Sequence, residues 1–366
     1  MANVMEILFW SSAVVVGYVY AGYPLLLALW ARLAARRPAV APSDAGRAWP
    51  KISIIVAARN EAARLPARLH NLLALPYPGP REILIVSDGS TDGTAAVVAS
   101  FGPAVRLVDV PAGGKPLALN AGVEAADGDI LVFADARQSF SPSTLMALVR
   151  NFDDPAVGGA TGELVLDAES GEIDDSTIGE GVGLYWAYEK WLRRNEGLVW
   201  STLGATGAIY ALRRRLWQPL PADTLLDDVL APMRVVLGGH RIVFEEGARA
   251  FDRTSPDAAA ESRRKTRTLA GNYQILVQEP RLLLPVVNPV WLQYLSHKVG
   301  RLVVPWALVG AFFASAGLAG TSWLYAGAFG LQAAFYVLAI FGAWLDARGR
   351  SDSTAAVGAL DRKGAQ

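Results

Sequence analysis

The stretch REILIVSDGSTDGTAAVVASFGPAVRLVDV, residues 81–110, contains the pattern that decides the fold. An apolar run, REILIVSDG, is followed by a segment of helical character, STDGTAAVVASF, and then by a second apolar run, VRLVDV. Short apolar runs bounded by glycine and polar turn residues are typical of buried strands. A strand, a helix and a strand in succession predict a parallel crossover unit, with Ser90 or Thr91 capping the helix.

The same alternation continues on both sides of this unit. Upstream, residues 51–58 (KISIIVAA) read as a strand and residues 61–75 (EAARLPARLHNLLAL) as the helix that follows it. Downstream, residues 114–126 (GKPLALNAGVEAA) read as a helix and residues 129–136 (DILVFADA) as a fourth strand. We therefore predict an α/β fold with an open, mostly parallel sheet.

Polar side chains collect where these strands end or where the next helix begins. In open parallel sheets the ligand lies beyond the carboxyl ends of the strands, which meet at one edge. We therefore expect the polar residues at these ends to converge on a single crevice. They are Arg59, Asn60, Glu61, Asp88, Lys115 and Asp135.

The composition excludes several classes of site. The 366 residues include no cysteine, which excludes disulfides, thiolate metal sites and a cysteine nucleophile. The three histidines, His70, His240 and His297, lie far apart and have no metal-ligand spacing. The 34 basic residues balance the 34 acidic ones, so the net charge gives no sign of a nucleic-acid partner, and none is expected.

Three uncharged apolar segments, residues 7–30, 302–318 and 323–344, predict a membrane protein. The mean hydropathy of +0.27 agrees with this prediction. The first segment exceeds the roughly 20 residues that a helix needs to span a bilayer. It fits a secretory signal peptide poorly, because no basic residue precedes it. The alternative for the last two segments is a buried helical hairpin in a soluble core.

Basic residues next to these segments predict the orientation in the membrane. They are Arg32, Arg36 and Arg37 after the first segment, Lys298 and Arg301 before the second, and Arg348 and Arg350 after the third. Because basic residues favour the cytoplasmic side, we expect a multi-pass protein of the inner (plasma) membrane. Its N-terminus would lie outside, and the middle of the chain and the C-terminus would be cytoplasmic.

The predicted organisation therefore has one folded domain between membrane segments. Residues 33–50 are rich in Ala, Pro and Arg and read as a linker. Prolines and scattered polar residues in LLLPVVNPVWLQYLSH predict a segment that lies on the membrane surface. The predicted regions are a transmembrane helix at 1–32, the linker at 33–50, the α/β domain at 51–280, the interfacial segment at 281–300, two transmembrane helices at 301–346 and a polar cytoplasmic tail at 347–366.

Six stretches between about residues 52 and 275 carry a resemblance to a known family. They are SIIVAARNEAARL, ILIVSDGSTDGT, GGKPLALNAGVEAADGDILVFADARQ, GATGAIYALRR, LLDDVLAPMRVVLGG and RRKTRTLAGNY. Each motif alone is weak, but the six occur in the family's order. The chain resembles membrane-bound family 2 glycosyltransferases with a GT-A fold. Within that family it is similar to the polysaccharide-synthase branch, which includes chitin-, cellulose- and hyaluronan-synthase-like proteins.

The resemblance implies a function and two alternatives. The implied function is inverting transfer of a sugar from a nucleotide-diphospho-sugar, UDP-linked, to a growing surface glycan. One alternative is transfer of a single sugar to a lipid-linked acceptor such as polyprenyl phosphate. The other is a non-catalytic membrane subunit that binds a nucleotide-sugar. Membrane lipid is an expected partner in each case.

The resemblance also implies donor-binding residues. They are Ala57, Arg59, Glu61, Asp88, Lys115, Asp135, Arg137 and Arg264. The residues themselves leave other roles open for three of them. Asp88 also suits a turn aspartate that bonds to the backbone, Glu61 a helix first turn, and Lys115 a solvated lysine.

Catalytic and acceptor residues are implied in the same way. Asp228 is the expected general base, although Asp227 or Asp228 could instead cap the following helix. Arg267 is expected to cover the diphosphate of the donor; the alternative is a basic patch against lipid headgroups. Arg264, Arg267 and Thr268 match the QxxRW motif of processive synthases only at the arginine, which puts processive elongation in doubt. The expected acceptor residues are Gly204, Thr206 and Gly207.

The motif ADARQ raises the question of a metal, because many sugar-nucleotide enzymes carry a second acid two positions after the first. Here Arg137 stands at that position, which leaves Asp135 as the lone acid. We predict that Asp135 holds Mg²⁺ or Mn²⁺ weakly, together with phosphate oxygens and water. Alternation on an extended segment would put residues 135 and 137 on the same side. The alternative is that Arg137 turns away and pairs with an acid such as Asp153.

Overall fold

The computed structural model describes residues 2–39, 43–44, 46–167, 177–253 and 258–363. The chain forms two compact units, one of residues 23–299 and one of residues 1–22 together with 300–366. The first unit contains the α/β domain, and the second contains long apolar helices.

The α/β unit contains a mixed sheet of eight strands within the described residues, in the order β3-β2-β1-β4-β7-β6-β8-β5. Strands β3, β2, β1 and β4 are mutually parallel, and β7 joins β4 antiparallel. The predicted α/β fold with a mostly parallel sheet is therefore confirmed. The strands are β1 Ile52–Ala58, β2 Arg81–Asp88, β3 Arg106–Val110, β4 Ile130–Asp135, β5 Ser139–Phe140, β6 Val157–Asp167, β7 Ile209–Arg213 and β8 Arg241–Arg253.

Helices cover both faces of this sheet. Strand β1 is buried on both faces, as expected for a central parallel strand that reads as a continuous apolar run. Ile54 belongs to one buried cluster with Leu69, whereas Ile55 belongs to another with Leu119 and Leu230. The helices of this unit are α2 Tyr23–Ala34, α3 Leu65–Ala74, α4 Thr94–Ser100, α5 Lys115–Ala125, α6 Thr144–Arg150, α7 Thr177–Val199, α8 Asp227–Leu237, α9 Ala258–Gln278 and α10 Trp291–Gln293.

The start of α3 corrects one prediction. The helix expected from residue 61 begins at Leu65, and residues 61–64 form a turn in which the Glu61 carbonyl accepts from the Leu65 N–H. Pro66 explains the late start, because proline lacks an N–H and is tolerated in the first turn of a helix.

The start of α4 corrects a second prediction, that of the helix cap. Ser90 and Thr91 do not cap this helix; Gly93 stands at the cap position and makes no side-chain bond. The carboxylate of Asp92 instead accepts from the backbone N–H of Thr94 at 2.9 Å. A short acidic side chain just before the helix therefore satisfies one of its free N–H groups.

The second unit contains α1 Ala2–Gly17, α11 Gly300–Leu318 and α12 Trp323–Lys363. Helices α1 and α11 pack closely at Gly310, where a Cβ atom would lie 3.1 Å from Ser12 Oγ. Small residues permit such close approach of helices in membranes. Many large apolar side chains are exposed here, including Trp306 and Phe335.

Three helical runs are long and apolar enough to cross a membrane: Ala2–Ala34, Trp291–Leu318 and Trp323–Leu345. This confirms one N-terminal and two C-terminal apolar helices at the predicted places. The second run begins at Trp291, within the segment predicted to be interfacial. Helix α12 also continues to Lys363, through most of the predicted polar tail.

Candidate functional site

The turns after β1 and β2 are tied together at the carboxyl edge of the sheet. Asn60 has a φ of 55°, a left-handed conformation that asparagine adopts more readily than most residues. Its side-chain oxygen accepts from the N–H of Thr91 at 2.8 Å, and its own N–H donates to Ser90 Oγ at 3.2 Å. Ser90 and Thr91 therefore join the turn after β2 to the turn after β1, and they do not cap a helix.

The donor-binding residues predicted on β1 lie along this edge. Ala57 pairs in register with Asp135 of β4. Arg59 is largely exposed, and its Nη1 lies 3.9 Å from Asp88 Oδ2. Glu61 lies in the turn before α3 and forms an ion pair with Arg64 at 3.0 Å. These positions surround the strand ends, and the donor role of the residues remains a prediction.

Asp88, at the end of β2, holds the loop that precedes α5. It is only 4% exposed, and its Oδ1 accepts from the N–H groups of Gly113 at 2.6 Å and Gly114 at 3.0 Å. The left-handed φ of +88° at Gly114 favours glycine at this turn. The carboxylate thus bonds to the backbone of a distant loop, and that loop positions Lys115.

Lys115, the first residue of α5, joins two parts of the site. Its Nζ lies 3.0 Å from Asp135 Oδ1, at the end of β4, and 3.4 Å from Asp227 Oδ2, at the start of α8. The side chain remains 36% exposed. Burial alone would lower the pKa of this ammonium, but the nearby carboxylates, led by Asp227 and Asp135, raise it above its ordinary value. Lys115 is therefore a charged, ion-paired lysine and not a freely solvated one.

The acid pair at the start of α8 does not cap the helix. Leu226 stands at the cap position without a side-chain bond, and both Asp227 and Asp228 lie in the first turn. Asp227 is buried against Lys115. Burial raises the pKa of Asp228 to about 6, and the charge of Asp227 adds to this rise. The positive charges of Lys115 and Lys298 oppose it.

The predicted acceptor residues surround Asp228. The N–H of Ala205 donates to the Asp228 carbonyl at 2.7 Å. A Cβ atom on Gly207 would lie 2.9 Å from Asp228 Oδ2, and one on Gly204 would lie 3.3 Å from the Asp228 carbonyl oxygen. Thr206 Oγ1 donates to the Gly162 carbonyl at 2.9 Å. A side chain at residue 207 would therefore crowd the Asp228 carboxylate, and the φ of +136° at Gly204 favours glycine there.

Two residues next to this site, Arg193 and Tyr210, were not predicted as site residues from the sequence. Arg193 of α7 donates from Nη1 to Thr206 Oγ1 at 2.5 Å, and thus fixes the predicted acceptor loop. Tyr210 of β7 stacks on Phe133, and its buried hydroxyl has no hydrogen-bond partner among the described residues. Burial raises the Tyr210 pKa well above its ordinary value, as do the charges of Asp227 and Asp228. Only the inward position of residue 210 on an alternating strand could have indicated it.

Arg137 does not follow the predicted geometry. Strand β4 ends at Asp135, so residues 135 and 137 do not alternate on an extended segment. The guanidinium pairs with Asp252 of β8, and Gln138 Nε2 donates to the same carboxylate at 3.0 Å. Asp153, the partner considered from sequence, pairs with Arg47 instead. Arg137 is thus anchored by a buried acid while about half of its side chain remains exposed.

The remaining predicted cations lie on α9. Arg264 has its guanidinium 5.9 Å from the ring centre of Trp186, within range of a cation–π contact. Arg267 is exposed, one turn further along the helix. Their roles toward the donor remain predictions.

The residues around Asp135 do not fit a divalent cation. Within the described residues, no three His, Asp or Glu side chains come together as metal ligands. The Asp135 carboxylate is ion-paired with Lys115, and a metal ion on Oδ1 would lie within about 5 Å of that ammonium, where like charges repel. Residue 137, where a second acid would stand, supplies another positive charge.

Comparison with known proteins finds similarity to glycosyltransferases. Residues 53–217 match the family described as Glycosyl transferase family 2. Poly-beta-1,6-N-acetyl-D-glucosamine synthase of Staphylococcus aureus (strain COL) is 24% identical over 241 residues, which cover 62% of this chain and 56% of that protein. The probable glycosyltransferase YdaM of Bacillus subtilis (strain 168) is 24% identical over 243 residues, 63% of this chain and 57% of that protein. The chain thus matches little more than half the length of these curated relatives.

A solved structure shares the fold across most of the chain. The mannosyltransferase PcManGT from Pyrobaculum calidifontis, in complex with GDP-Man and Mn²⁺, superimposes with a TM-score of 0.67 at 24% identity. The match covers 91% of this chain and 92% of that chain. At this identity the likeness establishes the fold alone.

Proposed function

We propose, because residues 53–217 match glycosyl transferase family 2, that the chain transfers a sugar from a nucleotide-diphospho-sugar to a glycan at the membrane. The observation that carries this proposal is the position of Lys115, which contacts both Asp135 and Asp227. It brings the strand end expected to bind the donor next to the acid pair expected to activate the acceptor. Two reactants must be held in one place for such a transfer.

The donor would lie across the carboxyl ends of β1, β2 and β4, as ligands do in sheets of this type. Asp88 and Arg59 would face the nucleoside, and Lys115 would face the diphosphate. A UDP-linked hexose or N-acetylhexosamine is the proposed donor. The named product of the S. aureus relative, an N-acetylglucosamine polymer, supports an N-acetylhexosamine.

Asp228 is the proposed general base. Its carboxylate would take the proton of the acceptor hydroxyl as that oxygen forms a bond to the anomeric carbon. The bond from the anomeric carbon to the diphosphate breaks at the same time, and the nucleoside diphosphate leaves with the electron pair. Attack from the face opposite the leaving group inverts the configuration. A pKa near 6 keeps Asp228 ionised at neutral pH yet basic enough to accept the proton.

The acceptor would lie beside the loop of residues 204–207, which borders the Asp228 carboxylate. The leading proposal is the end of a growing surface polysaccharide, as the named relatives support. A second candidate is a lipid-linked acceptor such as polyprenyl phosphate. Lys298 favours this candidate, because its positive charge is close enough to lower the pKa of Asp228.

The three apolar helices support a protein anchored in the inner (plasma) membrane. In the proposed orientation the α/β domain is cytoplasmic, where nucleotide-sugars are made, and membrane lipid surrounds the apolar helices. A divalent cation on Asp135, which the sequence predicted, receives no support from the residues that surround it. Mn²⁺ in the similar mannosyltransferase complex belongs to that protein.

Donor turnover by the full chain in detergent would test the proposal. UDP-N-acetylglucosamine, UDP-glucose and GDP-mannose would be supplied with a membrane extract as the acceptor source, and release of nucleoside diphosphate and product mass would be measured. We expect turnover of one donor that is lost in Asp228→Asn and kept in Asp127→Asn, a matched exposed acid paired with Lys51. A wild-type protein that binds a nucleotide-sugar but turns over none of them would favour a non-catalytic binding subunit.

A further inference from the structure

Resting on the proposed function, we propose that side-chain cations bind the donor diphosphate in place of a divalent metal. Lys115 is the central cation, and Arg137 is the second. Both come from the neighbourhood of the strand end where a metal-binding acid pair would otherwise be expected. The charges that neutralise the diphosphate are independent of which sugar the donor carries.

Lys115 has the position and the free capacity for this role. An ammonium group has three N–H donors; Asp135 accepts from one of them at 3.0 Å, and Asp227 is an ion-pair partner at 3.4 Å. The side chain is one-third exposed, so a further donor can reach a ligand oxygen. The two carboxylates hold the ammonium in place before the donor arrives, as metal ligands would hold an ion. A fixed cation loses little conformational freedom when it binds phosphate.

Arg137 is held in a comparable way. Its Nη2 is anchored on Asp252, which is itself only 5% exposed and also accepts from Gln138. About half of the Arg137 side chain faces solvent. A guanidinium has five N–H donors in a planar fork, so the ion pair leaves donors for a phosphate oxygen. The residue that replaces the second acid is thus fixed in position and still able to bind an anion.

Lys115 and Arg137 place positive charge near Asp135, which repels a metal cation and attracts an anion. A divalent ion on this carboxylate would have to displace the ammonium of Lys115 or bind next to it. Asp227 Oδ2 is buried, accepts no hydrogen bond from the part of the chain that the structure describes, and has Lys115 as its ion-pair partner. If a metal displaced Lys115, the buried carboxylate of Asp227 would lose its positively charged partner.

Isothermal titration of the full chain in detergent with UDP, and in parallel with GDP, tests the proposal. Each titration is run with excess EDTA and with Mn²⁺. We expect the preferred nucleotide to bind the wild-type protein with dissociation constants that agree within about threefold in the two conditions. With EDTA, Lys115→Met should weaken binding about tenfold or more, and Lys115→Arg should recover part of the loss. Lys51→Met, which removes a lysine paired with Asp127, should bind as the wild type does.

A reciprocal variant sharpens the test. Arg137→Asp restores an acid two positions after Asp135, so nucleotide binding should become weaker in EDTA and recover with Mn²⁺. Arg215→Asp, a matched charge reversal at an exposed arginine, should show no such dependence. Thermal unfolding shows whether each variant is folded. If a variant is unfolded, the comparison of wild-type binding in EDTA and in Mn²⁺ still decides the question.

Three outcomes are distinguishable. Equal binding with and without Mn²⁺ supports the inference. Wild-type binding that requires Mn²⁺ overturns it while the proposed function stands. Failure of the folded wild-type protein to bind any of these nucleotides, or their sugar conjugates, overturns both.

Discussion

Gly207 lies so close to Asp228 that a methyl group on its Cα would come within 2.9 Å of the carboxylate oxygen Oδ2. Gly207→Ala should therefore push the proposed base out of position. We expect turnover to fall by about tenfold to a hundredfold, because small misplacements of a reacting group are costly. Nucleotide affinity should change little, since neither Gly207 nor Asp228 is among the residues proposed to bind the donor.

The matched control is Gly197→Ala. A Cβ atom there meets its nearest neighbour at 3.5 Å, which is an ordinary contact, and the residue lies inside helix α7. Alanine in a helix is favoured over glycine by about 0.5–1 kcal/mol, so this variant should be active and slightly more stable. Equal activity of the two variants would show that the Asp228 carboxylate need not stay where it is.

Asp228→Asn should abolish transfer and leave nucleotide affinity nearly unchanged. The substitution removes the proton acceptor and keeps the size of the side chain, while Lys115 keeps its contacts to Asp135 and Asp227. Turnover and titration with nucleoside diphosphate, carried out on the same preparation, provide the comparison. A parallel loss of affinity would place Asp228 in the donor site and require a different base.

The pH dependence of turnover should follow the same carboxylate. Burial raises the pKa of Asp228 to about 6, and a general base works only when it is ionised. The rate should therefore be level at neutral pH and fall about tenfold per pH unit well below pH 6. A rate profile with an acidic limb near the ordinary value of 3.8 would contradict this assignment.

The contribution of Asp228 to stability should change with pH in the direction opposite to turnover: it should fall as pH rises. A carboxyl group whose pKa is higher in the folded state than in the unfolded state is stabilising when protonated, and this contribution is lost as pH rises through about 6. At neutral pH, Asp228→Asn should raise the free energy of unfolding by at most about 3 kcal/mol, at about 1.4 kcal/mol for each unit of pKa shift. Thermal unfolding should show a difference that shrinks towards pH 4; a less stable variant at neutral pH would contradict it.

The sequence predicted the parts of the site that depend on neighbouring residues in the chain. β1, β2 and β4 are continuous apolar runs, so their ends, and hence Asp88 and Asp135, could be located. The partners of those residues could not be predicted, because they come from distant elements. The contacts of Lys115 with Asp227, and of Arg137 with Asp252, require the packing of α8 and β8 against the sheet. The helix starts were missed where Pro66 and Asp92 alter the local turn.

The orientation in the membrane is open to a direct test. The basic residues after the first apolar segment and before the second predict an outside N-terminus and a cytoplasmic C-terminus. Reporter fusions at both ends should give opposite compartments, with the α/β domain protected in right-side-out vesicles. As a control, replacing Arg32, Arg36 and Arg37 with glutamine should weaken the preference. A cytoplasmic N-terminus in the unmodified protein would contradict the predicted orientation.

Tyr23 and Glu196 provide a last test, on stability apart from catalysis. Glu196 of α7 is 1% exposed; its Oε1 accepts from the Tyr23 hydroxyl of α2 at 2.9 Å and lies 2.7 Å from His297 Nδ1. Tyr23→Phe leaves the ring in place and removes one of these partners. A buried carboxylate that loses a hydrogen bond costs about 1–3 kcal/mol, so thermal unfolding should occur at a lower temperature. Equal stability of Tyr23→Phe and the wild-type protein would show that the buried bond contributes nothing.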